Sequence, residues 1–269
     1  MKKIGFIGAG NMASAMIKGL ISSKLYAANE ILVSDTSARQ LAQARRRYRV
    51  ESTKSNVSLV ERTHAVVLAV KPQIIESVLE EIFPAVKKTK RFISIAAGVT
   101  LERLEKGLGH GTRIVRVMPN TPALLGKSMT VVAPGTHARP TDERLALSLF
   151  RAVGDVVRVS DEKLLDPVTG LSGSGPAYVY LFAEALIAGG VKNGLSPELS
   201  SRLTLQTLEG AAAMLKETKL SARELREMVT SPGGTTLAGL NRLEERGFSH
   251  SVSAAVTAAT KRSRALGRH

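Results

Sequence analysis

The chain has 269 residues, 43% hydrophobic and 23% charged, ordinary values for a folded protein that exclude a disordered chain. It carries no cysteine, which excludes disulfides, thiolate catalysis and cysteine metal sites, suits a reducing compartment and leads to the expectation of a cytoplasmic protein with no bound metal. Its 38 basic against 23 acidic residues give a formal charge of +15. With 4% aromatic residues and no zinc-finger, RRM or basic-zipper pattern, that excess reads as solvated helix faces and attraction for small anions, with no nucleic-acid partner.

At roughly 150 residues per domain the length fits one large or two modest domains. No apolar run nears the roughly 20 residues of a membrane helix, so no membrane partner is expected. The opening, Met1-Lys2-Lys3 and the apolar run to Ala9, has the look of a signal peptide. Gly5, Gly8 and Gly10 break it, and it is read as a buried strand. Residues 3–7, 31–34, 65–70, 91–96 and 113–118 are short, β-branched runs bounded by Gly, Pro, Asn or Asp, and are predicted strands. Helical patterns fill the gaps at 12–22, 38–48, 73–86 and 101–108, the last capped by Thr100. Alternating strands and helices predict a parallel sheet with right-handed crossovers, closed by further strands at 129–133 and 156–159. After Ser160 no clear strand follows. Residues 177–188, 197–216, 222–229, 237–245 and 251–266 read as helices, apolar over much of their circumference. Such helices need more than one packing partner. The predicted architecture is therefore α/β: an N-terminal Rossmann doubly wound sheet over 1–160 and a C-terminal all-α dimerisation domain over 161–269.

The first strand runs into Gly8-Ala9-Gly10-Asn11-Met12-Ala13, a G-x-G-x-x-A motif opening a helix. The first glycine permits a tight turn, the second lets the backbone approach a pyrophosphate, and the small third residue lets helix and strand pack closely. The helix start offers free N–H groups and a partial positive charge to phosphates. Alone the motif is weak; strand before and helix after strengthen it. The second strand ends Val33-Ser34-Asp35, where the ribose-reading residue is expected. Asp35 can accept from the ribose hydroxyls of NAD, whereas Ser34, Thr36, Ser37 and Arg39 can donate to a 2′-phosphate. The hydroxyl-rich loop with its arginine favours NADPH, with NADH as the alternative. Lys71, pinned by Pro72 at the end of the third strand, points to the crevice where ligands bind in such sheets, or is simply a solvated loop lysine. Ala96 and Ala97 leave room for a nicotinamide ring, and Pro119 and Pro122 expose Asn120 and Thr121 at the fifth strand's end, where both are equally well ordinary turn residues.

Two segments of the helical half carry further signal. Residues 170–178, GLSGSGPAY, place a Gly/Ser run before a long helix, as expected where backbone meets a ligand or another helix. Residues 231–236, SPGGTT, join two helices, and the N–H groups opening the second form an anion nest suited to a carboxylate. Each segment by itself is equally well a cap and turn.

Together with 8–16, 70–73 and 118–123, these segments resemble the pyrroline-5-carboxylate reductases, and the resemblance covers essentially the whole chain. It implies an oxidoreductase passing a hydride from NAD(P)H to the cyclic imine 1-pyrroline-5-carboxylate, giving L-proline. It implies a homodimer interlocked through the helical domain, and dimers assembled into rings of five. Carried over, Gly8, Gly10, Asn11, Met12, Ala13, Ser34, Asn56, Val70, Lys71, Ala96 and Ala97 would line the cofactor. Ser231, Gly233, Gly234, Thr235 and Thr236 would hold the substrate carboxylate, and the Thr236 hydroxyl would meet the ring nitrogen as the catalytic contact. Three places depart from the family pattern: Ala188-Gly189-Gly190-Val191 in place of Asp-Ala-Gly-Val, Ser221-Ala222 in place of His-Pro, and Thr36 in place of a basic residue. A rival reading, a β-hydroxyacid dehydrogenase, needs an acid lysine on a central helix; Lys192 sits instead beside Asn193-Gly194 near a helix end.

Overall fold

A computed structural model describes residues 2–267. They divide into two compact units: one up to Ser174 that also takes the chain from Thr257, and a second of Gly175–Val256.

The first unit is built on one eight-stranded sheet. In chain order its elements are β1 (Lys2–Ile7), α1 (Asn11–Ser22), β2 (Ile31–Ser34), α2 (Ala38–Tyr48), β3 (Glu51–Thr53), α3 (Asn56–Arg62), β4 (Thr63–Leu68), α4 (Ile75–Ile82), β5 (Arg91–Ser94), α5 (Leu101–Leu108), β6 (Arg113–Met118), β7 (Ser128–Pro134), α6 (Pro140–Arg151), β8 (Gly154–Arg158) and α7 (Leu165–Val168). The sheet order is β3-β2-β1-β4-β5-β6-β7-β8. Strands β1 to β6 pair in parallel; β7 runs antiparallel to β6, and β8 parallel to β7. Side chains alternate between the two faces, as a two-residue period demands. Ile4 and Phe6 of β1, Val67 of β4 and Val115 of β6 enter one core with Met16, Leu41 and Phe150. Ile7, Val66, Leu68 and Phe92 enter the other with Leu59, Leu79 and Leu104. Helices α1, α2 and α6 thus cover one face, and α3, α4 and α5 the other.

Four elements escaped the sequence reading, one of them α7, a single turn of four residues. Strand β3 has three residues, all half-buried, too short for a period. Helix α3 has only Asn56, Leu59 and Val60 buried. Helix α6 did carry signals: Pro140 in its first turn, Asp142 and Glu143 beside it, and Ala146, Leu149 and Phe150 buried at helical spacing. The helix expected over 73–86 is broken at both ends into 3₁₀ turns, at Pro72–Ile74 and Phe83–Ala85, because each has a proline, Pro72 or Pro84, in its first two positions.

The second unit is helical: α8 (Gly175–Lys192), α9 (Pro197–Glu217), α10 (Ala222–Met228), α11 (Thr235–Glu245) and the start of α12 (Phe248–Leu266). Helices α8 and α9 pack where the Ser200 hydroxyl donates to the Ile187 carbonyl at 2.8 Å. The Phe182 and Phe248 rings lie 5.8 Å apart. Of all its residues only Ser200 and Thr204 are buried within one chain, while Tyr180, Leu181, Leu205, Met228 and Val229 are each more than half exposed.

Candidate active site

The chain leaves β1 toward β2 and β3, then returns on the other side at β4. The carboxyl ends of β1 and β4 therefore diverge into the crevice where open α/β sheets take ligands. Gly8 to Ala13 fill the turn from β1 into α1. Gly8 has φ of 100°, and a Cβ there would lie 2.6 Å from the Ala69 carbonyl oxygen; its N–H donates to the Ser34 carbonyl at 2.8 Å. Gly10 differs: a Cβ on it would meet nothing within 4 Å, so its outer side is open. It caps α1 with no side-chain bond to the helix, and the first N–H groups are left for an anion. Asn11 is exposed, Met12 half-buried and Ala13 buried against the sheet. A backbone stripped of side chain at one glycine and uncapped at the helix start fits a dinucleotide pyrophosphate.

At the end of β2 the Ser34 side chain is fully buried, its hydroxyl donating to Asn56 Oδ1 at 2.7 Å. Asn56 Nδ2 donates in turn to Glu81 Oε2 at 2.7 Å. Ser34 and Asn56 are thus brought together, joined by Glu81, a residue twenty-five positions on that local sequence gave no reason to select. Asp35 accepts from two main-chain N–H groups, of Ala9 and Ser37, while Thr36 and Arg39 are exposed. Val70 is half-buried and Lys71 exposed at the end of β4; Ala96 is buried and Ala97 half-buried beyond β5.

Asn120, expected exposed, is half-buried and engaged. Its Oδ1 accepts from the Met129 N–H at 2.9 Å and its Nδ2 donates to the Ser172 carbonyl at 3.2 Å. The Gly/Ser run is no open loop: Thr169–Gly173 forms a π-helical turn between α7 and α8. The small residues let the turn lie against the β6 end, and Asn120 ties the two.

In the second unit Gly233 has φ of 68°, and the Gly234 N–H donates to the Ser231 carbonyl at 3.0 Å. A Cβ on Gly234 would stand 2.5 Å from the Ser231 hydroxyl, so two glycines are needed for this turn. Gly234 caps α11 without a side-chain bond, leaving the N–H groups that open the helix free of intrahelical partners. Ser231, Thr235 and Thr236 are exposed around them. The turn collects a hydroxyl and a helix start in one place, an arrangement for a carboxylate. Ser221, a departure from the family pattern, caps α10: its hydroxyl accepts from the Glu224 N–H, while the Glu224 carboxylate accepts from the Ser221 N–H at 2.7 Å. The Ser221 hydroxyl also donates to Glu224 Oε2 at 2.6 Å, and this bond, with that from the Ser221 N–H, holds the Glu224 carboxyl below its ordinary pKa. Lys192 is the exposed last residue of α8. Among the described residues no three His, Asp or Glu side chains gather as metal ligands, and no helix is long and apolar enough to cross a membrane.

Residues 162–266 match the family described as pyrroline-5-carboxylate reductase dimerisation, and residues 3–98 that described as NADP oxidoreductase, coenzyme F420-dependent. A pyrroline-5-carboxylate reductase of Methanosarcina acetivorans is 42% identical over 99% of this chain and 98% of its own. That of Escherichia coli K12 is 39% identical over 99% of both. The crystal structure of Plasmodium falciparum pyrroline carboxylate reductase with NADP bound superposes with a TM-score of 0.91 at 37% identity, covering 99% of this chain and 98% of that one.

Proposed function

The chain belongs to the pyrroline-5-carboxylate reductase family and is an oxidoreductase of proline biosynthesis, reducing 1-pyrroline-5-carboxylate to L-proline with NADPH; on that premise we propose how its residues divide the work. Gly8, Gly10, Asn11, Met12 and Ala13 hold the pyrophosphate. Ser34, Asn56, Val70 and Lys71 flank the adenosine side, and Ala96 and Ala97 leave space for the nicotinamide. Ser231 and the 233–236 backbone hold the substrate carboxylate. The sequence division at 160/161 separates cofactor work from substrate work and dimerisation.

When bound, NADPH supplies the hydride. A protonated cyclic imine is already a good electrophile, so the protein needs no strong acid. The SPGGTT turn fixes the carboxylate so that one ring face meets the hydride, and the Thr236 hydroxyl hydrogen-bonds at the ring nitrogen, orienting it. The hydride and the proton already on nitrogen together complete the C–H and N–H of proline. The observation that carries these assignments is the pair of uncapped helix starts, α1 after Gly10 and α11 after Gly234, each matching one anionic ligand of the reaction.

The dimerisation match makes the chain an oligomer. We propose a homodimer through the exposed apolar faces of the helical unit, dimers gathered in rings of five, and a cytoplasmic location in keeping with the cysteine-free composition. The deciding experiment follows NADPH and NADH oxidation with and without pyrroline-5-carboxylate. Rapid imine-dependent oxidation, faster with NADPH, is the expected result; intact NADPH binding with no oxidation would sink the substrate assignment.

A further inference from the structure

Asp35 follows directly on β2, where an acidic residue ordinarily accepts from the ribose hydroxyls of NAD and disfavours a 2′-phosphate. An enzyme that uses NADPH has no evident need of a carboxylate there. Its surroundings show another task. Oδ2 accepts from the Ala9 N–H at 2.8 Å, and Oδ1 from the Ser37 N–H at 2.7 Å. Ala9 lies between the two glycines of the phosphate loop. Ser37 caps α2, its hydroxyl accepting from the Gln40 N–H at 3.3 Å. The half-buried carboxylate therefore bridges two segments that are not neighbours in sequence: the loop that meets the pyrophosphate and the turn that meets the adenosine ribose. Among the described residues Asp35 forms no ion pair, so backbone N–H groups alone hold its charge. Hydrogen bonds to an ionised acceptor are roughly twice as strong as neutral ones.

We propose that Asp35 is a positioning residue: it staples the phosphate loop to the β2–α2 turn and, with both oxygens engaged by the protein, leaves Thr36, Ser37 and Arg39 to receive the 2′-phosphate. The inference rests on the reading that this sheet edge binds NADPH. It reverses the ordinary meaning of an acidic residue in this place. A ribose reader discriminates between the two nucleotides, whereas a staple supports the binding of both, because both carry the pyrophosphate.

The test uses the full-length protein and two variants, Asp35→Asn and Asp35→Ala. Kd for NADPH and for NADH is read by titration of nicotinamide fluorescence, and amide-proton exchange at Ala9 and Ser37 is read in the nucleotide-free protein. The staple predicts that Asp35→Ala weakens both nucleotides by about tenfold, close to the worth of one charge-assisted bond, with their ratio constant to within about twofold. It also predicts faster exchange at the Ala9 and Ser37 amides, with kcat at saturating NADPH little changed. Asp35→Asn, which keeps the shape and one acceptor oxygen, lies between wild type and Asp35→Ala, and it bears the test if the alanine variant does not fold. Tighter NADPH binding together with a collapse of NADH binding would show a ribose reader and overturn the proposal. So would unaltered exchange at Ala9. A wild-type chain that binds neither nucleotide would refute the cofactor site instead, while exchange at Ala9 would still decide the staple.

Discussion

Two glycines of one motif have different physical duties, and their substitution separates them. Gly8→Ala puts a Cβ 2.6 Å from a carbonyl oxygen at a φ of 100° that L-residues avoid. It is expected to cost about 1–3 kcal/mol of unfolding free energy, measured by urea titration without nucleotide. Gly10→Ala meets no protein atom within 4 Å. Its stability should stay within about 1 kcal/mol of wild type, while NADPH affinity falls by about tenfold or more as the methyl group enters the pyrophosphate's approach. Equal loss of stability from both would refute that division. Thr236, exposed at the start of α11, has a separate duty toward the imine. Thr236→Ala is expected to lower turnover between severalfold and about a hundredfold, the range of a misoriented substrate, and to leave NADPH affinity nearly intact. Parallel loss of cofactor binding would refute its role at the ring nitrogen.

Among elements, the joint between β6 and α5 rests on a buried charge. Arg116 of β6 is 4% exposed and pairs with Glu162 at 2.6 Å. The same carboxylate oxygen accepts from the Leu101 N–H at the start of α5. Glu162→Ala strands a buried guanidinium and takes the acceptor from the Leu101 N–H, and it should destabilise by about 2–4 kcal/mol, reduced from the fully buried case because Glu162 keeps partial contact with water. Denaturant titration of Glu162→Ala against Glu162→Gln checks this, the glutamine retaining the acceptor. The edge strand β3 depends on exposed charge instead. Hydrogen bonds from Arg62 and Lys2 hold the Glu51 carboxyl below its ordinary pKa. A depressed carboxylate stabilises the fold above its unfolded pKa, and that gain is lost as pH falls through the folded value. The expected signature is a loss below the ordinary glutamate range, under about 1 kcal/mol because the pair is exposed, and absent in Glu51→Gln.

For the whole molecule, the helical unit poses an energetic problem that a single chain does not solve. Only two of its residues, both small and polar, are buried, and large apolar side chains line its surface. A stretch of that size does not bury enough of itself to offset the conformational entropy of ordering it. Association supplies the missing burial, so the thermal midpoint should rise with protein concentration as mass action requires. A concentration-independent midpoint in a chain shown monomeric by sedimentation would refute an oligomeric native state. The charge of +15 acts at the same scale. It should speed the approach of the anionic nucleotide, and the association rate should fall as salt is raised.

Local chemistry was enough to determine the fold class of the Rossmann half, though not its β3, α3, α6 or α7: strand-like runs, a glycine motif between strand and helix, and a change to helical patterning after Ser160. Those signals survive in one dimension because they arise from contacts near in sequence. The SPGGTT turn was legible for the same reason, its two glycines and its helix start being neighbours along the chain. What one dimension could not carry was pairing across distance. The Ser34–Asn56–Glu81 chain, the engagement of Asn120 by Met129 and Ser172, and the grip of Asp35 on Ala9 join residues from separate elements. Which polar group finds which partner depends on sheet order and helix placement. That is why Asp35 reads as a ribose acceptor in sequence, and why only the fold turns its carboxylate back onto the phosphate loop.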